Sequence, residues 1–422
     1  MTMEHVIVED KLSNGIRVVV EPMPTRRVLS LGLWVRAGSR DEQENIQGCS
    51  HLIEHMVFKG TEKRSAEQIS TAIEERGGYL NAFTDRDLTC FTAQTLQEDA
   101  ELAIDVLSDM IQAPLFQEED LKREKQVVLE EISRKDDNPE HLIEDLSNEA
   151  VWKGSQEAHS ILGTKESINK VFRNQLVAYH NNFYTPNNIV VTAAGGIEPG
   201  KLFDTLDNYF IDEKTGHVST RKKPVFKRTA KFHERDSSQV QLSIASEGLA
   251  FKDRKRYALS LLNSYLGVGS SSQLFLKVRE KEGLVYSIYT DDKSMEDCGL
   301  YRIFAGTNVS NVEKVFDIIL KELERLQNEG LTAKELEKNK QKMRGMLGLS
   351  FESARTRMYH LGMSTLRLGK PQTFEEIIEN MEKVTLDEVN QLAAETFDRR
   401  SLSYITLGLP CEIATRLKKT LF

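Results

Sequence analysis

Three pairs of segments in this chain match each other in the same order. Leu31–Ala37 and Val240–Ser246 are strand-like runs with apolar residues in register. Thr95–Ile111 and Thr307–Leu323 share Glu101/Glu313 and Asp105/Asp317. Glu118–Ile132 and Ala333–Leu347 share Leu121/Leu336, Lys125/Lys340 and Gln126/Gln341. The offset stays between 209 and 215 residues throughout. Ordered matches at one offset are the trace of a duplicated domain, so one fold is expected twice. At roughly 100–200 residues per domain, 422 residues allow two or three domains. The repeat reduces that to two, residues 1–215 and 226–422, joined by the polar segment Asp212–Lys227.

Within the first half, Ile16–Glu21 and Leu29–Ala37 read as strands, followed by helices over His51–Phe58 and Ala66–Arg76. Gly77-Gly78 breaks the second helix, and Tyr79–Phe83 with Leu88–Thr95 forms a strand pair. Helices over Glu98–Gln112, Glu118–Lys135, His141–Val151 and Lys170–Asn181 lead to a strand at Asn188–Ala194. Hairpin-like pairs without strict βαβ alternation indicate an α+β class. Each half is expected to be a mostly antiparallel sheet with helices packed on it.

Charge and cysteine content exclude several classes. Lys+Arg (56) against Asp+Glu (65) gives a net charge of −9, and the densest basic run is Arg221-Lys222-Lys223. That is no footprint for nucleic acid. The four cysteines lie far apart, without the spacing of a disulfide framework or an all-cysteine zinc site. Met1–Glu9 lacks the pattern of a secretory leader, and no stretch approaches 18 apolar residues. A reduced, cytoplasmic protein without a membrane span is the expectation.

The chemistry is carried by His51-Leu52-Ile53-Glu54-His55, an H-x-x-E-H pattern. On a helix, positions i, i+3 and i+4 share a face, so two imidazoles and a carboxylate point at one place. Histidines four apart can ligate one zinc ion, and Glu54 beside them can deprotonate a zinc-bound water. A near-copy, His141-Leu142-Ile143-Glu144-Asp145, lacks the second histidine and reads as a polar helix face. A catalytic zinc needs a third protein ligand. Spacing alone leaves Glu124, Glu130 and Glu131 open, although Glu124 and Glu131, seven apart, project from one helix face.

At these residues the chain resembles the pitrilysin/insulinase superfamily of inverzincin metallopeptidases, in its short bacterial branch similar to the mitochondrial processing peptidase β subunit. The resemblance rests on GCSHLIEHMVFKGT (48–61), GGYLNAFT (77–84), EKQVVLEEI (124–132), FYTPNNIVV (183–191) and SSQLFLKVREKEGLVYS (271–287). It implies Glu131 as third ligand, completing a set with His51 and His55 for one Zn2+ per chain, and Glu124 as its supporting carboxylate. The family's R-x-x-x-G-L-x-Y pattern falls on Arg279 to Tyr286, implying that Arg279 and Tyr286 hold substrate or the developing oxyanion. Its substrate-edge strand falls on Gly78–Thr84, implying contacts from Asn81, Ala82 and Phe83. Cys49, Gln273 and His159-Ser160 depart from the family's usual residues, but none belongs to the zinc set. Asn339 and Met346 stand opposite Glu124 and Glu131, so only the first half can hold zinc.

The function implied is a zinc-dependent endopeptidase or oligopeptidase, with Glu54 as general base, acting on extended peptides in a closed chamber. The competing class is a non-catalytic structural or assembly subunit. Long relatives carry four such domains, so this chain reads as half of a chamber. A homodimer is expected, with a heterodimer containing an inactive homologue as the alternative.

Overall fold

The computed structural model describes residues 6–211, 214–237 and 239–421. Asp212 and Glu213 of the expected linker, and Met1–His5 of the amino-terminal segment, lie outside the described residues. Eleven strands form two sheets among the described residues. The first contains β1 (Val8–Lys11), β2 (Arg17–Pro22), β3 (Val28–Val35), β4 (Tyr79–Thr84), β5 (Thr89–Leu96) and β6 (Ile189–Gly195). The second contains β7 (Ala230–His233), β8 (Gln239–Glu247), β9 (Val285–Ser294), β10 (Gly299–Asn308) and β11 (Ser403–Leu407).

The duplication is visible strand by strand. The first sheet runs β1-β2-β6-β3-β5-β4 and the second β7-β11-β8-β10-β9. With β1 set aside, every neighbour pair corresponds. One pair in each sheet is parallel, β2 with β6 and β7 with β11, and all others are antiparallel. The strand-to-helix junctions correspond too. β5 passes through a 3-10 turn at Gln97–Asp99 into the helix Ala100–Gln112. β10 passes through Val309–Asn311 into Val312–Glu329.

Packing gathers the chain into two compact units, neither of them continuous in sequence. The first takes the chain up to Ser133, His159–Lys222 and Gly348–Phe374. The second takes Arg134–Ala158, Lys223–Leu347 and the chain from Glu375 onwards. In the first unit one sheet face packs on a core built with helices of the first half, including Leu52, Ile53, Leu107 and Val128. The other face carries Trp34, Cys90 and Val190, and the helix Ala354–Leu368 covers it through Met358. The approach is close: a Cβ on Gly362 would stand 2.0 Å from the Trp34 ring. In the second unit the exchange is mirrored, because Pro139–Val151 packs Ile143 and Val151 with Leu300, Phe304 and Ile405. Burial on both faces accounts for the near-continuous apolar character of β6, interrupted only by Thr192, since only a sheet wetted on one side must alternate.

The near-copy motif lies on that exchanged helix: Ile143 is buried, His141 is exposed, and Asp145 pairs with Lys135. One expected helix is divided. Lys170–Asn181 becomes the end of Lys165–Lys170 and a second helix, Arg173–Phe183. Gln175 Oε1 accepts the Phe172 N–H at 2.8 Å, a start signal that overrides the continuous pattern. No helix among the described residues is long and apolar enough to cross a membrane.

Candidate active site

His51, Glu54 and His55 lie on the eight-residue helix Cys49–Met56. A helix this short is marginal alone, so its position depends on tertiary anchors. Its N-cap, Gly48, has φ 86°, and a Cβ there would meet the Leu162 carbonyl at 2.6 Å. Glycine has no capping side chain, and Glu42 supplies one from a distance. Its two oxygens accept the N–H groups of Gly48 and Ser50, each at 2.7 Å. Burial pushes the Glu42 carboxyl up to about 8, partly offset by those backbone bonds. Ser50 Oγ and Tyr179 OH lie 2.8 Å apart, and Tyr179 donates to the Gly38 carbonyl at 3.1 Å. Reading the sequence did not single out Glu42 or Tyr179. Glu42 lies in a loop and Tyr179 on the helix Arg173–Phe183, and no local pattern links either to the metal helix.

On the other side of the helix, His51, His55 and Glu131 each offer one ligand atom, all within 4.8 Å of one another. The Nε2 atoms of both histidines stand 3.7 Å from Glu131 Oε2. Tetrahedral ligands bound at roughly 2.0–2.1 Å are about 3.4 Å apart, so the two His–Glu131 separations fit a zinc ion with little contraction. Glu124, two turns before Glu131, lies 3.0 Å from His55 Nδ1, which leaves Nε2 directed at the metal position. Lys59 Nζ reaches the other Glu124 oxygen at 2.8 Å. Burial would raise Glu124, but the His55 and Lys59 bonds hold its carboxyl below the usual range. For His55, burial opposes protonation, yet the Glu124, Glu131 and Glu54 carboxylates leave it above its ordinary value. Three carboxylates around two imidazoles form a cation site by charge as well as by geometry. Glu130, the third carboxylate left open by spacing, is exposed.

Glu54 is one turn from His51, and its Oε2 accepts the Thr84 hydroxyl. Burial raises its carboxyl, while the Thr84 bond and His55 partly counter that. Thr84 ends β4, which pairs with β5 and closes the sheet order, so among the described residues no strand pairs with its outer edge. Asn81 is exposed on this strand, and its Oδ1 accepts the Ala82 N–H at 2.8 Å. Ala82 packs on the main core. Phe83 lies on the opposite face, edge-on to Trp34 with ring centroids 6.0 Å apart.

Arg279 and Tyr286 belong to the second unit. Arg279 is exposed on a π-helical turn, Phe275–Glu280, with its guanidinium over the Phe275 ring. Tyr286 lies on β9, with its ring exposed and its hydroxyl donating to Asn308 Oδ1 at 3.2 Å.

The second unit's counterpart of the metal helix is Arg256–Gly267. The strand offset of 209 puts Ser260, Asn263 and Ser264 where the first unit has His51, Glu54 and His55. Asp292 on β9 accepts from Ser260 Oγ at 2.8 Å and from Asn263 Nδ2 at 3.0 Å. Desolvation raises its carboxyl to about 6. An acid raised on folding destabilises the native state only when ionised. The penalty is absent below the unfolded value, grows as pH rises through 6, and is full above it. Asp292→Asn is therefore expected to stabilise the protein by about 1–2 kcal/mol at pH 8, after allowing for solvent screening. The gain should vanish near pH 4, as read from urea unfolding at the two pH values.

Comparison with known proteins finds two matching family models, one following the other along the chain. Residues 17–165, which include the cage, match the family model "Insulinase (Peptidase family M16)". Residues 170–343 match "Peptidase M16 inactive domain". An uncharacterized zinc protease of Bacillus subtilis is 38% identical over 384 residues, covering 91% of this chain and 94% of the relative. One from Streptomyces coelicolor is 35% identical over 406 residues, covering 93% and 88%. A protease from Helicobacter pylori has the same fold, with a TM-score of 0.88 over 96% of this chain and 99% of that one, at 21% identity. A peptidase M16 inactive domain from Pseudomonas fluorescens, also 21% identical, superposes with a TM-score of 0.88, covering 96% and 98%. The chain belongs to the insulinase family of peptidases, M16, in its short bacterial branch.

Proposed function

We propose that this chain is a zinc endopeptidase or oligopeptidase that cleaves unfolded peptides held as an extended strand. The observation that carries this reading is the cage of His51, His55 and Glu131 beside Glu54, at the end of an edge strand. Zinc, held by His51, His55 and Glu131, would supply a Lewis acid for the attacking water and the scissile carbonyl. The outer edge of β4 pairs with the peptide backbone, so recognition depends on main-chain hydrogen bonds more than on side-chain identity. Glu54 takes the proton of the attacking water and passes it to the leaving amine. By resemblance to the family, Arg279 and Tyr286 supply a cation and a hydroxyl to the developing oxyanion. A π-helical turn around Arg279 supports that assignment, because such turns concentrate at functional sites. One zinc per chain and a homodimer complete the reading.

The test is incubation of protein of measured zinc content with a mixed peptide library, with and without 1,10-phenanthroline, and product identification by mass spectrometry. Cleavage should be lost with the chelator and restored by added zinc. A zinc-containing sample that cleaves nothing overturns the peptidase reading in favour of an assembly subunit.

A further inference from the structure

We infer that Thr84 is a positioning residue for Glu54, so that the strand edge proposed to receive the peptide also sets the orientation of the general base. The inference rests on the peptidase reading for its kinetic consequence, and on the geometry of β4 for its structural one.

Side chains alternate across a strand. Leu80 and Ala82 pack against the main core, and Thr84, in phase with them, reaches Glu54. Phe83, out of phase, is wedged on the opposite face between Trp34 and Tyr359, with ring centroids 6.0 and 5.8 Å away. Trp34 is itself held by its Nε1–H bond to Thr192 Oγ1 at 2.8 Å. Rolling the strand to release Thr84 would open that aromatic cluster.

The turn after Thr84 is clamped as well. The Asp85 N–H bonds to the Leu88 carbonyl at 2.8 Å, which closes the hairpin. Arg40 pairs with Asp87 at 2.8 Å, the two side chains only 1% and 3% exposed. Arg221 binds Asp41 and the Asp87 carbonyl, each at 2.6 Å. Arg367, on the exchanged helix, lies 3.4 Å from Asp85 and 3.6 Å from Asp87. Buried ion clusters contribute little net stability, and their best-attested use is to select one arrangement. Here the arrangement selected is that of the residue next to Thr84.

The second unit shows a related contact. Thr84 pairs with Thr89 and Thr89 with Val35. Ile244, 209 residues after Val35, pairs with Ile303, and Ile303 pairs with Thr290, so Thr290 holds the place of Thr84. Its hydroxyl donates at 3.2 Å to the carbonyl of Asn263, which stands at the place of Glu54. In both units a threonine at this strand position donates to the residue at this helix position. A threonine hydroxyl has one proton to give, and giving it to Glu54 Oε2 leaves Oε1 to meet the water.

The experiment compares wild type, Thr84→Val and Thr84→Ser on a peptide that the wild type cleaves in the library screen. In Thr84→Val, kcat should fall about 10- to 100-fold, the worth of a hydrogen bond to a charged group, with KM and zinc content unchanged. Thr84→Ser should stay within about threefold of wild type, because the hydroxyl is kept. Equal kcat in all three proteins overturns the inference, as does an equal loss in both variants. A crystal structure of Thr84→Val tests the same point without activity: Glu54 should leave its place beside residue 84, and an unmoved Glu54 overturns the inference. A wild type that cleaves nothing refutes the peptidase reading, and the crystal structure still decides on Thr84.

Discussion

Glu54→Gln should leave zinc bound and reduce peptide cleavage by about 10²- to 10⁴-fold, the usual contribution of a positioned general base. The amide has the shape of the carboxylate, and its carbonyl oxygen can still accept the Thr84 hydroxyl. The three cage residues are untouched, because His51, His55 and Glu131 supply the ligand atoms without Glu54. What the variant lacks is a group able to take a proton from water. Metal analysis of the purified variant and kcat on a peptide cleaved by the wild type check both halves of this expectation. Undiminished cleavage would assign the base to another residue, and loss of zinc would make Glu54 a structural partner of the cage.

A second large effect is expected far from the chemistry. Arg357, on the exchanged helix Ala354–Leu368, pairs with Glu21 on β2, and both side chains are only 7% exposed. Arg357 also donates to the Phe351 carbonyl, where the helix is entered. Removing one member of a buried pair costs about 3–5 kcal/mol, because the remaining charge stays desolvated. Arg357→Leu should therefore destabilise the unit that carries the metal helix by that amount, measured by urea unfolding. Adding Glu21→Leu removes the stranded charge and should recover much of the loss. A single-variant cost under about 1 kcal/mol would mean that the Arg357–Glu21 pair does not hold the exchanged helix in place.

These two residues differ in how far the sequence reveals them. Glu54 is legible because its geometry is local: three residues at i, i+3 and i+4 must share a helix face wherever the helix lies. Arg357 and Glu21 are 336 positions apart, and nothing in either neighbourhood specifies the other. The third ligand falls between these cases. The Glu118–Asp137 helix was readable from Leu121, Val128 and Ile132, but the choice among Glu124, Glu130 and Glu131 depends on how it docks against the histidines. Phe83 shows a related limit. Alternation says that it and Thr84 lie on opposite faces of β4, and only packing shows which face meets the metal helix.

From the sequence alone came the duplication, the α+β class, most of the helices and strands, and the H-x-x-E-H face. All of these follow from short-range periodicity or from the repeat itself. The tertiary structure decided which sheet each helix covers. An apolar stripe requires a helix to bury that face, but the stripe on Pro139–Val151 or Ala354–Leu368 is equally satisfied by either of two similar sheets. That choice rests on contacts between residues hundreds of positions apart, including Gly362 against Trp34 and Arg357 with Glu21. Hydrophobic burial is non-directional, so local pattern leaves the choice open and close packing with buried charge pairing settles it.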